Sequence, residues 1–352
     1  MKRIASIGLS SLVLVSLLLA QPPARAGQEQ APLPFKIVVV DPSLNSLLEV
    51  TQNLHSLETP ALNGEGPMWR EGKLWFSDQW AGPVYSVTLE GKTAVIAENG
   101  SGGTIHPEWG FNQGPNAEVP YKDGAVLIIR QVARDIAIFK GGKFTPLISS
   151  FEGHPLNCPN DMVFSSKGTL WFTDPPFSVP GLRSGTGPAS DSQMPHQSVY
   201  RYKNGKLARM IDDLDHPNGI GVSPDDKTLY VDTARPQPRL IAYDISQDDE
   251  LSNPRDLFLF PATDENGAPI RGAVDGMKVD SKGNIWVVSP GGVNIISAQG
   301  KHLGRIQLPF GITNVAFGGS DMKDVFFTAR SHGMVYHLKT KVAGQRPIYQ
   351  KP

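Results

Sequence analysis

Apolar and polar positions alternate along most of this chain in runs too short for helices. "PVYSVTL" (83–89), "DIAIFKGGKFTPLI" (135–148), "SVYRYKNGKLARMI" (198–211) and "RLIAYDI" (239–245) each read as strands with one buried face. The turns inside or after such runs read "GGK", "NGK" and "AQGK", which suit hairpins. After the first 26 residues no stretch carries a clear amphipathic helical period. The pattern therefore predicts an all-β protein.

The strands also repeat. "GPMWREGKLWFSD" (66–78), "CPNDMVFSSKGTLWFTD" (158–174), "HPNGIGVSPDDKTLYVDT" (216–233) and "AVDGMKVDSKGNIWVVSP" (273–290) share one plan. A Gly, Pro or Asn lead-in is followed by a short strand, a polar turn and a second strand. "GPNAEVPYKDGAVLIIR" (114–130) and "GITNVAFGGSDMKDVFFTA" (311–329) are weaker copies. With the runs between them, each unit offers about four strands, the content of one propeller blade. Six units predict a six-bladed β-propeller over 56–345, with an N-terminal segment at 27–55 and a tail at 346–352. Two stretches break the rhythm. Residues 175–197, rich in Pro, Gly and Ser, read as a lid or a surface insertion. Residues 100–114, with His106 and Trp109, read the same way.

In a propeller, the innermost strands line a central channel and their lead-in loops meet at one end of it. The equivalent lead-in positions hold Glu65, Asn116, Asn160, Asn218, Asp275 and Asn314, six carboxylates or carboxamides out of six. Each alone could cap a turn or tie neighbouring blades. In "PNDMVF", Asn160 and Asp161 could do either, or aim an amide oxygen away from the strand. A ring of oxygen donors in register suits a hard divalent cation, calcium before magnesium, with Zn2+ or Mn2+ as possible substitutes.

Composition narrows the alternatives. A formal net charge of −1, with no Lys/Arg run past the start, argues against nucleic acid as a partner. Cys158 is the one cysteine, so an internal disulfide and a multi-cysteine zinc site are both excluded. Lys2 and Arg3, the apolar run 4–20 and Ala24-Arg25-Ala26 read as a signal peptide cut after Ala26. That predicts a periplasmic or secreted protein without a membrane span after cleavage. There is no G-x-S-x-G elbow and no histidine in a recognisable triad context.

"EGPMW", "PNDMVF…GTLWFTDPP", "HPNGIGVSPDDKTLYV", "DGMKVDSKGNIWV" and "TNVAFGG" together resemble the gluconolactonase/senescence-marker-protein (regucalcin) family. Its exported bacterial gluconolactonases are the most similar. The resemblance implies one catalytic divalent ion, usually calcium, held by Glu65, Asn160, Asn218 and Asp275. It also implies a small lactone or ester substrate, opened by water that Asp275 activates. Asn116, Gln131, Cys158 and Asn160 fall at substrate-binding positions. Asp161 is expected to brace its loop, and Asp78, Asp174 and Asp232 to serve turns or blade contacts. Cys158 stands where relatives usually have an arginine, and Gln131 lies where an acidic-histidine-glycine sequence is frequent. The substrate shell therefore differs from the usual one. Two further readings stay open: a non-catalytic propeller that binds a ligand or partner around a structural ion, and a phosphotriesterase-like hydrolase.

Overall fold

The computed structural model describes residues 34–106, 112–177, 196–264, 266–330 and 332–350. The expected signal peptide, Trp109 and residues 178–195 of the 175–197 stretch lie outside them. Strands dominate the described residues, which form no α-helix, and no helix is long and apolar enough to cross a membrane.

Six antiparallel sheets are arranged as a six-bladed β-propeller. Their innermost strands are Gly64–Arg70, Pro115–Pro120, Met162–Phe164, Asp215–Val222, Met277–Val279 and Ile312–Gly318. Each packs on the next, and the sixth packs on the first, so the ring closes. The hairpin turns carry the residues that their geometry requires. Gly141 and Gly142 sit at φ 58° and 76°, and Asn204 and Gly205 at φ 51° and 78°. Both pairs match the left-handed turn whose twist fits a β-hairpin.

Closure uses both ends of the chain. His55–Glu58 forms the outer strand of blade 6, pairing with Met334–Lys339 in the register His55↔His337 to Glu58↔Met334. The segment expected to precede the propeller also contributes to it. Lys36–Val39 adds a fifth strand to blade 5, pairing Lys36 with Gln307 and Val39 with Gly304. A short 3-10 turn, Pro42–Ser46, follows it. Leu44, Leu47 and Leu48 then enter the core beside Trp286, Phe317 and Leu338.

The last residues are likewise packed. Tyr349 meets Tyr121 and Phe164 edge-on, with ring centroids 5.7 and 5.1 Å away, and Arg346 donates to the Ser320 carbonyl at 3.1 Å. Gln345, Pro347 and Ile348 thereby border an axial cavity of about 180 Å3, lined by Met68, Met162 and Phe317 at the channel's far end.

Candidate metal centre and active site

The lead-in loops are set by the ends of the second strands. Asp78 accepts from the backbone N–H groups of Leu62 (2.8 Å) and Asn63 (3.3 Å), just before Glu65. Asp174 accepts from those of Asn157 (2.9 Å) and Cys158 (2.8 Å), just before Asn160. Asp232 accepts from Gly219 at 3.1 Å, just after Asn218. These three aspartates serve turns within their own blades. The hydroxyl next to each of the first two reaches another blade. Ser77 Oγ donates to the Asn116 carbonyl at 2.7 Å. Thr173 Oγ1 donates to the Asn218 carbonyl at 2.7 Å.

Three ring residues are followed by glycine, and in each case the missing side chain makes room for the following blade. A Cβ on Gly66 would lie 2.2 Å from the Asn116 carbonyl oxygen. One on Gly219 would lie 2.5 Å from the Asp275 carbonyl oxygen, and one on Gly276 would lie 2.0 Å from Asn314 Cγ. The ring is tight because these positions have no side chain.

Within it, Asn218 Nδ2 donates to Asp275 Oδ1 at 3.1 Å. Asn314 Nδ2 donates to Glu65 Oε2 at 3.2 Å, and the Asn160 carbonyl accepts from the Ala117 N–H at 3.3 Å. Glu65, Asn116, Asn160, Asn218 and Asn314 are all buried. Burial pushes the Glu65 carboxyl up, reinforced by the Asp275 charge, against the pull of the Gly66 N–H and the Asn314 amide. Burial also raises Asp275, although Arg330 and Asn218 oppose it. Burial raises Asp161 too, opposed mainly by the Lys278 ammonium 3.8 Å away. Asp161 Oδ1 accepts from the Met162 N–H at 2.8 Å, as a loop brace would.

Several buried carboxyls thus raise one another's proton affinity, while the Asn218 Oδ1 and both side-chain polar atoms of Asn116 have no protein partner. A cation among them would relieve both costs, since buried charges need a counter-charge and buried polar atoms a partner. Among the described residues no three His, Cys, Asp or Glu side chains gather as a ligand cluster. The donor set is mixed carboxylate and amide, which fits an oxygen-seeking ion.

The substrate-binding expectations separate. Asn116 is in the ring. Gln131 lies in a buried chain of amides behind it. Asn63 Nδ2 donates to Gln79 Oε1 (3.0 Å), Gln79 Nε2 to Gln131 Oε1 (3.2 Å), and Gln131 Nε2 to the Pro159 carbonyl (3.5 Å). Cys158 is wholly buried, its N–H held by Asp174. Arg330, which sequence reasoning missed, sits half-exposed with Nη2 3.5 Å from Asp275 Oδ2. It is remote from Asp275 in sequence, and no motif marks it.

One consequence concerns stability. Burial pushes Asp174 up to about 7, outweighing its two backbone N–H donors and Arg134. A carboxyl with a raised folded-state pKa binds its proton more tightly in the native state. Its contribution is therefore complete below the unfolded value near 4 and declines as pH rises towards 7. Thermal melts from pH 4 to 8 are expected to show a flatter decline for Asp174→Asn than for the natural protein. An unchanged slope would count against a protonated Asp174.

A closed ring of blades, with acidic and amide side chains on the lead-in loops of its innermost strands, defines a six-bladed β-propeller. The sequence profile of the SMP-30/Gluconolactonase/LRE-like region matches residues 63–331, and the chain belongs to that family. It is 28% identical over 320 residues to a gluconolactonase of Zymomonas mobilis, covering 88% of this chain and 87% of that one. The solved gluconolactonase of Xanthomonas campestris superposes with a TM-score of 0.72 at 26% identity, covering 89% and 99% of the two chains. A calcium-binding protein, regucalcin, from Agrobacterium tumefaciens has the same fold, with a TM-score of 0.64 at 22% identity. That match covers 92% of this chain and all of the other.

Proposed function

We propose that this chain is a lactonase dependent on a divalent cation, calcium first among the candidates. The observation that carries the reading is the pairing of Asn218 with Asp275 in a buried ring that also holds Glu65, with the Asn218 Oδ1 left unpartnered. Its family and its similarity to gluconolactonases support a lactone as the substrate. Glu65, Asn160, Asn218 and Asp275 would hold the ion, and two carboxylates with two neutral amides would balance its charge.

When bound, the cation supplies Lewis acidity to the lactone carbonyl. The Asp275 carboxylate takes a proton from the attacking water. The new C–O bond forms at the carbonyl carbon, the ring C–O bond breaks, and the proton passes to the departing ring oxygen, giving a hydroxy acid. The Arg330 guanidinium, beside Asp275, is placed to steady negative charge at the mouth. Asn116, with both amide atoms unpartnered, is available to substrate or water.

The basic, apolar and small-residue start of the chain supports export to the periplasm or medium.

A second reading, a ligand-binding propeller around a structural ion, is favoured by the engagement of the Gln131 amide with Gln79 and the Pro159 carbonyl, which occupies it with protein partners. A pH-stat assay over aldonolactones, simple lactones and a phosphotriester, with calcium, zinc, manganese or chelator, separates the readings. Lactone opening with calcium that chelator abolishes is the expected result. Cation-dependent melting without hydrolysis of any ester would overturn it in favour of the binder. Turnover of the phosphotriester alone would make the protein a phosphotriesterase.

A further inference from the structure

His216 stands at the start of the innermost strand of blade 4, two residues before Asn218 and at the same end of the channel. Its backbone is in the left-handed region, φ 61°, which is uncommon for a residue with a side chain and clusters at functional positions. Three neighbours fix it there. Its N–H donates to Gln197 Oε1 at 2.6 Å, and Gln197 Nε2 donates to Asp215 Oδ1 at 3.2 Å. Thr233 Oγ1 donates to the Asp215 carbonyl. Phe177 packs on the imidazole with centroids 5.6 Å apart.

The ring is held in one orientation. Nδ1 lies 2.5 Å from Asp215 Oδ1. An ionised carboxylate only accepts, so Nδ1 donates, and in the neutral imidazole Nε2 is left with a lone pair. That Nε2 is buried, on a residue 7% exposed, and has no protein partner. Leaving a buried acceptor unsatisfied is costly. Here the surrounding contacts hold the ring at the mouth with its acceptor unused.

We infer that His216, oriented by Asp215, is a specificity-determining residue whose Nε2 accepts a hydrogen bond from a hydroxyl on the lactone ring. The inference rests on the lactonase reading and narrows it to hydroxylated lactones. Nothing in the contact requires His216 to gain or lose a proton. A site built to receive a hydroxyl discriminates against the analogue lacking it, because its own polar group is then stranded.

The test uses two unreactive isosteres, gluconolactam with ring hydroxyls and δ-valerolactam without them, titrated calorimetrically into the full-length, calcium-loaded protein. The natural protein is expected to prefer the hydroxylated lactam, and His216→Phe to reduce that preference by about 10- to 100-fold. His216→Asn, which tolerates the left-handed backbone, reads the same ratio should the Phe variant not fold. Loss of affinity for both lactams in equal measure would make His216 merely structural. An unchanged preference, or none in the natural protein, would also overturn the inference. Lactone hydrolysis is followed in the same preparation. Its absence strikes the lactonase reading, whereas the lactam ratio judges His216.

Discussion

Asp275→Asn is expected to lower kcat/KM for lactone opening by about 10²- to 10⁴-fold, the span that loss of a positioned general base produces, and excess calcium should not restore it. The same change should make the cation-free protein more stable at pH 8. Asp275 is pushed up by burial among other acids, so the native state without an ion loses stability as pH rises from the unfolded carboxylate value. Asparagine removes the charge while retaining an oxygen towards Asn218. Initial rates across a calcium titration and melts with chelator provide both readings. Full activity in this variant would remove Asp275 from the mechanism. Lower stability at pH 8 without calcium would refute the crowding of charge around it.

The plan of the ring was legible because propeller repeats are constrained twice: each blade must pair internally, and each lead-in must end at the axis. The recurrence of runs such as "GTLWFTD" showed the first constraint, and the six in-register acids and amides the second. The reach of the chain's start was harder to see. Lys36–Val39 lacks a repeat partner, and its edge position on blade 5 is set by packing of Leu44 and Leu48 rather than by any motif. His216 was visible as a letter but not as an oriented imidazole. Its partners Gln197 and Phe177 flank a long stretch without periodicity, and no sequence rule announces a positive φ at a histidine. Gln131 shows the opposite difficulty. A position inferred from resemblance places a residue near the axis, but only the amide chain through Gln79 and Asn63 shows which way its side chain is engaged.

Gly66→Ala is expected to be among the most damaging single-methyl additions at the mouth. The new Cβ would lie 2.2 Å from the Asn116 carbonyl oxygen and 2.6 Å from Ala117 Cα, at a φ of 52°. Both obstacles are backbone, so no side-chain rotation relieves them. Overpacking and an unsuitable φ together should cost about 3 kcal/mol or more, lowering the Tm by roughly 5–10 °C and weakening calcium binding through displacement of Glu65. Gly72→Ala is the control, since Gly72 has φ 77° but open space around it. It should show the strain alone, about 1 kcal/mol. Equal losses in the two variants would mean that close approach between blades 1 and 2 is not what Gly66 provides.

Pairing of His55–Glu58 with Met334–Lys339 makes the last blade a joint product of both termini. During synthesis, blades can assemble from residue 64 onward, but the partner for the early strand emerges only among the final residues. Until then, the nascent amino-terminal strand lacks its neighbour. A chain truncated before residue 334 would leave both His55–Glu58 and Asp324–Ala329 without the strand that joins them, and such open strand edges recruit other strands into aggregates.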